Sequence, residues 1–253
     1  MNETLQRYAL AIAAHIALVC AWYLFVKLGN VPRFVMPSPG ATLDALLQPN
    51  YNWWGNILVT GTEIFAGYFL ALVVGIALAL VFTWSKPLES FFMPLLVSLN
   101  MIPKVALGPL IIVWFKYGVF PNSLMAFSIC VFPILLTTAR GLREVEPELL
   151  DLVRSLKGSR WQLFTKVQLP GALPYIFAGM KVAAILAVAG AVVGEFLGSD
   201  KGLGYLMLQV QVMLDTPAMF MAVIMITLLG MGLYGFVLLM ERWLVVKDAR
   251  IDG

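Results

Sequence analysis

Four ionisable side chains, Glu63, Lys104, Lys181 and Glu195, stand inside or beside long apolar runs. A charge near the centre of a bilayer costs roughly 2.5–3.5 kcal/mol on insertion scales, so each needs a partner, an escape to the interface or a watery path. Glu63 and Glu195 fit an internal salt bridge and a solute path equally well. Lys104 follows the Ile102-Pro103 break, which favours a place along a path. Lys181 lies early in its run and reads as structural, its amino group snorkelling to the interface. The outer segment at 199–216 holds a short apolar helix candidate, 205–214, which suits a plug, a docking contact or an interfacial re-entrant turn. Cys20 and Cys130 both sit in apolar runs, against a disulfide or a thiolate metal site. His15 stands alone and reads as packed or interfacial. No Gly-x4-Gly-Lys-Ser/Thr loop and no paired catalytic carboxylates are evident, so the chain reads as neither an ATPase nor an enzyme.

The elements that must hold these residues are membrane helices. Of 253 residues, 61% are hydrophobic and 12% charged; a soluble domain has about 25% charged residues. A spanning helix needs about 20 apolar residues. Runs at 8–27, 57–83, 91–115, 123–140, 174–197 and 218–240 qualify, giving an all-α integral membrane protein with about six spans. The first run is too long for a signal peptide and is read as retained. Pro94, Pro103 and Pro109 interrupt the third run, which is either a kinked helix or a short helix followed by a span. Lysine and arginine sort by side. With a cytoplasmic N-terminus, eleven fall inside (Arg7, Lys86, Arg140, Arg143, Arg154, Lys157, Arg160, Lys166, Arg242, Lys247 and Arg250) and four outside (Lys27, Arg33, Lys116 and Lys201). Trp22, Tyr23, Trp53, Trp54, Trp84, Trp114, Tyr117 and Trp243 mark span ends as interfacial belts do. Small residues recur every fourth position at Gly67, Ala71, Gly75 and Ala79, and at Gly179, Ala183, Ala187 and Ala191, the spacing for close helix packing. A polar-accessible route lined by the third and fifth spans would pass Met101, Lys104, Gly190, Gly194 and Glu195.

The one long polar segment is 140–173, on the positive side. Its residues 148–157 form a helix with Pro147 at its first position, acids at its start and bases at its end, as the helix dipole prefers. Leu149, Leu152, Val153 and Leu156 make one apolar face, and Gly158 suits the residue just past the end. Ser159 and Gln162 form a capping box that opens a second helix, expected to stop before Pro170. Such a helix either lies on the membrane surface or fills a groove on a partner.

The stretch from Glu148-Leu-Leu-Asp-Leu-Val-Arg-Ser-Leu-Lys-Gly-Ser to Val167-Gln-Leu-Pro170 resembles the inner-loop signature of bacterial ABC importer permeases: Glu-Ala-Ala, three residues, Gly, nine residues, Ile-x-Leu-Pro. Asp151, Leu152 and Val153 take the Glu-Ala-Ala places, and Val167, Leu169 and Pro170 the Ile-x-Leu-Pro places. Lys157 stands where the family has glycine. The resemblance covers about 55–245. Stretches 60–75, 102–118 and 190–205 resemble the nitrate/sulfonate/taurine branch. Gly194-Glu-Phe and Asp200-Lys-Gly-Leu-Gly-Tyr are also similar to members for thiamine-precursor pyrimidines or riboflavin.

The resemblance implies a type I importer permease fold with residues 1–253 as one transmembrane domain, multi-pass in a bacterial inner membrane with both termini cytoplasmic. It implies no cofactor on this chain and ATP with Mg on separate ATPase subunits, coupled through Glu148, Leu149, Asp151, Leu152, Val153, Ser155, Leu156, Lys157 and Gly158. A second permease subunit, an identical copy, and an external solute-binding protein complete the expected assembly. The expected solute is small and polar or anionic, with a pyrimidine thiamine precursor or riboflavin-like molecule as the alternative. A secondary transporter would show inverted repeats, and none is clear.

Overall fold

The structure, a computed structural model, describes residues 3–144 and 147–245. Of the basic residues counted above, Lys247 and Arg250 lie outside it. The described residues are helices joined by short turns. α1 (Glu3–Leu28) leads to the short α2 (Pro39–Asp44), whose first turn is capped by the Ser38 hydroxyl accepting from the Ala41 N–H at 3.2 Å. α3 (Trp53–Trp84) has 32 residues, about 48 Å of helix. α4 (Lys86–Met101) and α5 (Lys104–Phe115) are the two arms of the proline-broken run, bent by 86° at Ile102-Pro103. α6 (Val119–Arg143) crosses back, α7 (Pro147–Ser155) and α8 (Arg160–Leu163) fill the polar loop, and α9 (Leu169–Gly198), α10 (Leu203–Val212) and α11 (Thr216–Leu244) complete the chain.

Among the described residues four helical stretches are long and apolar enough to cross a membrane: Pro49–Trp84, Val119–Arg143, Arg160–Gly198 and Thr216–Leu244; the bent α4–α5 pair makes a fifth. The first expected span, 8–27, falls within α1. α1 is fastened near its C-terminal end, where the Trp22 indole donates to the Pro37 carbonyl at 2.9 Å and its ring lies 5.7 Å from that of Phe220.

α6 is the central helix, held between α3 and α9 by the small-residue stripes. A side chain at Gly67 would meet the Ser123 carbonyl and Ala126, and one at Gly75 would meet Ile134, all on α6. Gly179 faces Thr137, and a Cβ added at Gly190 would lie 2.6 Å from Ala126 Cα. The buried core between them is Ile64, Tyr68 and Ala71 of α3, Ala126, Cys130 and Ile134 of α6, and Ala183, Ala187 and Ala191 of α9. Backbones this close gain dispersion contacts, the main source of helix association where lipid is as apolar as leucine. α10 packs Leu206 and Val210 against Ala218, Met221 and Ala222 of α11. It spans Leu203–Val212, two residues earlier than expected, and is covered by the bundle on one face.

Two expectations are corrected. The helix opened by Ser159 does not stop before Pro170. A π-turn at Phe164–Gln168, in which the Leu169 N–H reaches back to the Phe164 carbonyl, carries α8 into α9 without a break. Pro170 has no N–H to give and its ring presses on the preceding turn; the wider turn accommodates it. Trp53 is also not a belt residue: it is buried, and its indole donates to the Ala45 carbonyl at 3.0 Å.

Candidate functional site

Two places gather the residues singled out from the sequence, one at each end of the bundle. The first is α7. Pro147 opens it and Glu148 lies in its first turn, as expected. Its end forms a Schellman arrangement: the Gly158 N–H donates to the Val153 carbonyl at 2.9 Å, and Lys157 takes the left-handed conformation at φ +52°. The residue just past the helix is thus Lys157, not Gly158, and it stands at the place where the signature has glycine. A lysine in that conformation costs roughly 1–2 kcal/mol. Gly158 is needed for another reason: a Cβ there would stand 2.6 Å from Val153 Cγ1. Leu149 (42%), Leu152 (54%) and Leu156 (74%) are exposed, Val153 is half-buried, and Glu148, Asp151, Ser155, Lys157 and Gly158 are exposed.

The loop that carries α7 is fixed behind it. The Ser159 hydroxyl accepts from the Gln162 N–H at 3.2 Å, and the Gln162 side chain accepts from the Ser159 N–H at 2.8 Å, completing the capping box. Phe164 is buried against the end of α3, its ring 5.5 Å from that of Trp84. Arg143 at the end of α6 pairs with Glu89 of α4 at 2.6 Å, so the α3–α4 turn lies at this same end. Glu144 lies just past α6. A hydrogen bond from Tyr175, with Arg140 at 2.9 Å, holds its carboxyl below the usual carboxylate range.

The second place is the opposite end of α9. Glu63 of α3 and Glu195 of α9, both almost fully buried, face one another. Thr60 donates to Glu195 Oε1 at 2.5 Å, and the N–H groups of Gly204 and Tyr205 donate to Glu195 Oε2, the latter at 3.3 Å. Asn122 Nδ2 donates to Glu63 Oε1 at 2.8 Å. The Leu203 N–H donates to the Thr60 hydroxyl at 2.8 Å, and the Gly202 N–H to Asn56 Oδ1 at 2.9 Å. The free N–H groups that begin any helix are here answered by side chains of α3 and α9. Gly202, at φ +109°, touches the Glu195 carboxyl so closely that any side chain would collide with it.

Neither reading of Glu63 and Glu195 anticipated this pairing. No ion pair reaches either carboxyl among the described residues. Thr60, Asn56 and Asn122 were missed because neutral polar residues in apolar runs carry no periodic signal. Lys181 is structural as expected, though its partner is Glu241 of α11 at 3.2 Å rather than the interface.

The five path residues are not brought together. Gly190 and Gly194 are packing positions against α6; a Cβ at Gly194 would lie 2.9 Å from Asn122 Oδ1. Met101 is exposed at the α4–α5 bend. Lys104 Nζ donates to the Leu99 carbonyl at 3.0 Å, answering an acceptor freed where α4 ends. Lys104 also borders a cleft of about 360 Å³ between α3, α4, α5 and α6, which includes Asn100 and Ser128.

Residues 71–246 match the family described as "Binding-protein-dependent transport system inner membrane component". The riboflavin transport system permease protein RibX of Chloroflexus aurantiacus is 34% identical over 253 residues, covering 98% of this chain and 94% of that protein. The putative aliphatic sulfonates transport permease protein SsuC of Bacillus subtilis is 29% identical over 239 residues, covering 93% and 86%. A chain of the inward-facing MetNI methionine ABC transporter shares the fold with a TM-score of 0.60 at 18% identity, over 73% of this chain and 94% of that one. The all-α membrane fold, the signature loop and these likenesses agree: the chain belongs to the family of binding-protein-dependent transport system inner membrane components, the permease subunits of ABC importers, and is a transport subunit rather than an enzyme.

Proposed function

We propose that α7 is the helix by which this permease receives the stroke of a separate ATPase. The observation that carries this is the exposed stripe Leu149, Leu152 and Leu156 in the signature loop, backed by the fixed capping box and the Trp84–Phe164 contact. A surface helix for lipid would need no such anchoring. ATP and Mg belong to the partner, and this chain needs no cofactor. Both termini and the loop at 140–173 face the cytoplasm of a bacterial inner membrane, and residues 1–253 act as one permease domain beside a second, identical copy. A binding protein delivers the solute to the α10 end. The route runs through the cleft at the α4–α5 bend, past Met101 and Lys104. Its cargo is a small polar or anionic organic solute, the class spanned by the sulfonate relative. The riboflavin relative supports a second reading, a flavin- or pyrimidine-like solute. Binding measurements on the exported partner protein, with a sulfonate and a flavin as probes, separate the two.

The test of coupling is Leu152→Asp. Leu152 is exposed, so the variant inserts and folds. A carboxylate forced unpaired into an interface costs several kcal/mol, so the ATPase is expected to be lost on purification. Wild-type co-purification with normal ATP-dependent uptake would return α7 to the membrane surface. Orientation is tested with Cys20 and Cys130 replaced and a single cysteine at Lys157 or Tyr117, both exposed. An impermeant thiol reagent should label position 117 from outside intact cells and spare 157; the opposite pattern reverses the topology.

A further inference from the structure

The Glu63–Glu195 site is more than a packing detail, because its donors and acceptors do not balance without an added ligand. A carboxylate has no proton to give, whereas a carboxylic acid carries one donor. Glu195 receives three donors: the Thr60 hydroxyl on Oε1, and the N–H groups of Gly204 and Tyr205 on Oε2. This is the environment of an ionised carboxylate, and it sits at the N-terminus of α10, where the helix dipole favours negative charge. Glu63 receives one donor, Asn122 on Oε1, and its Oε2 is fully buried with no hydrogen-bond partner. A second bare carboxylate beside the first, with no cationic side chain paired to either among the described residues, would be repelled by it.

We propose that the buried cluster of Glu63, Glu195, Thr60 and Asn122 is a proton-binding site, holding one proton on Oε2 of Glu63, and that this protonated pair latches the N-terminus of α10 onto α3 and α9. The latch follows from the connectivity. Glu195 holds Gly204 and Tyr205, Thr60 holds Leu203, and Asn56 holds Gly202. Removing the proton leaves two charges on a shared site and drives the carboxyls apart, and Glu195 cannot move without releasing the start of α10. Among the described residues, the surrounding elements place no competing charge on the pair. On α6 the facing side chain is the neutral Asn122. α5 meets α9 through Gly108 against Leu197. Asp200 and Lys201 are exposed, the Tyr205 hydroxyl accepts from Gln209 at 2.9 Å, and Lys104 is bound to Leu99. The site does not depend on how α7 is used.

The experiment uses the full permease in nanodiscs, with two readouts. Infrared spectroscopy on the wild type should show a protonated-carboxyl stretch at neutral pH that is lost in Glu63→Gln. Hydrogen exchange at Gly204 and Tyr205 reports the latch. Glu63→Gln keeps a neutral side chain with a donor and should leave these amides protected, while abolishing their release at high pH. Glu195→Gln leaves one acceptor where two were used, and should speed exchange there by about tenfold or more, as expected when an amide loses a charged acceptor. Absence of the protonated-carboxyl band, or its survival in Glu63→Gln, overturns the proposal even if Glu195→Gln fails to fold. Equal exchange in the two variants overturns it as well. So does protection that follows sodium concentration at fixed pH, which would make the ligand a metal cation.

Discussion

The two ends of the α8–α9 rod are opposites. At the α10 end, polar and acidic groups are buried, and side chains of α3 and α9 answer the N–H groups that start α10. At the α7 end, leucines are exposed and the ordered groups lie behind them. A buried polar cluster is costly to disturb, because each stranded group forfeits its solvation. An exposed apolar stripe costs little to alter in the isolated chain and much once a partner covers it. The first end is therefore built for internal closure and the second for attachment, and substitutions should report this as a split between stability and assembly.

The largest effect is expected at the buried end. Glu195→Ala strands the Thr60 hydroxyl and the Gly204 and Tyr205 N–H groups, at about 1–3 kcal/mol each. Thermal unfolding of the purified permease should move down by many degrees; an unchanged melting curve would dissolve the contrast between the ends. Gly194→Leu comes next. Its side chain would press into Asn122 and the α6 backbone, and overpacking costs typically about 1–3 kcal/mol. It should lower stability before it affects uptake; normal stability with blocked transport would instead favour the path-lining role expected from the sequence. Leu152→Ala at the other end should shift stability by no more than about 0.5 kcal/mol while weakening retention of the ATPase. A destabilised monomer would show that α7 leans on its own chain. The smallest effect is Lys157→Gly, which relieves the left-handed strain and should stabilise the α7 end by about 1 kcal/mol, seen as slower amide exchange at Gly158. Gly158→Val should do the reverse by pushing against Val153.

Local rules carried the sequence reading furthest. Pro147, the Ser159–Gln162 box and the four-residue stripes each act through neighbours in the chain, so their spacing names their role. The 86° bend was legible as a break because proline both removes a donor and clashes. What stayed hidden depends on residues distant in sequence. Glu63 and Glu195 read as two separate charges because nothing local signals that α3 and α9 place them together. The sequence points to Gly158 because glycine is the usual residue after a helix, yet the hydrogen bond from Gly158 to Val153 fixes the left-handed turn one residue earlier, at Lys157. Gly190 and Gly194 illustrate the same limit: a small residue marks a close approach without saying whether helix or solute does the approaching.

The uninterrupted passage from α8 through the π-turn into α9 also has a mechanical consequence. Arg160–Gly198 is one helical stretch of 39 residues, about 58 Å of helix rise, with the π-turn at Phe164–Gln168 and Pro174 within it. With one end beside α7 and the other at Glu195, a tilt of ~10° about either end sweeps the far end through ~10 Å, by the helix rise alone. Helical backbone that continues through the π-turn past Pro170 ties the α7 end to the start of α10 along one unbroken stretch.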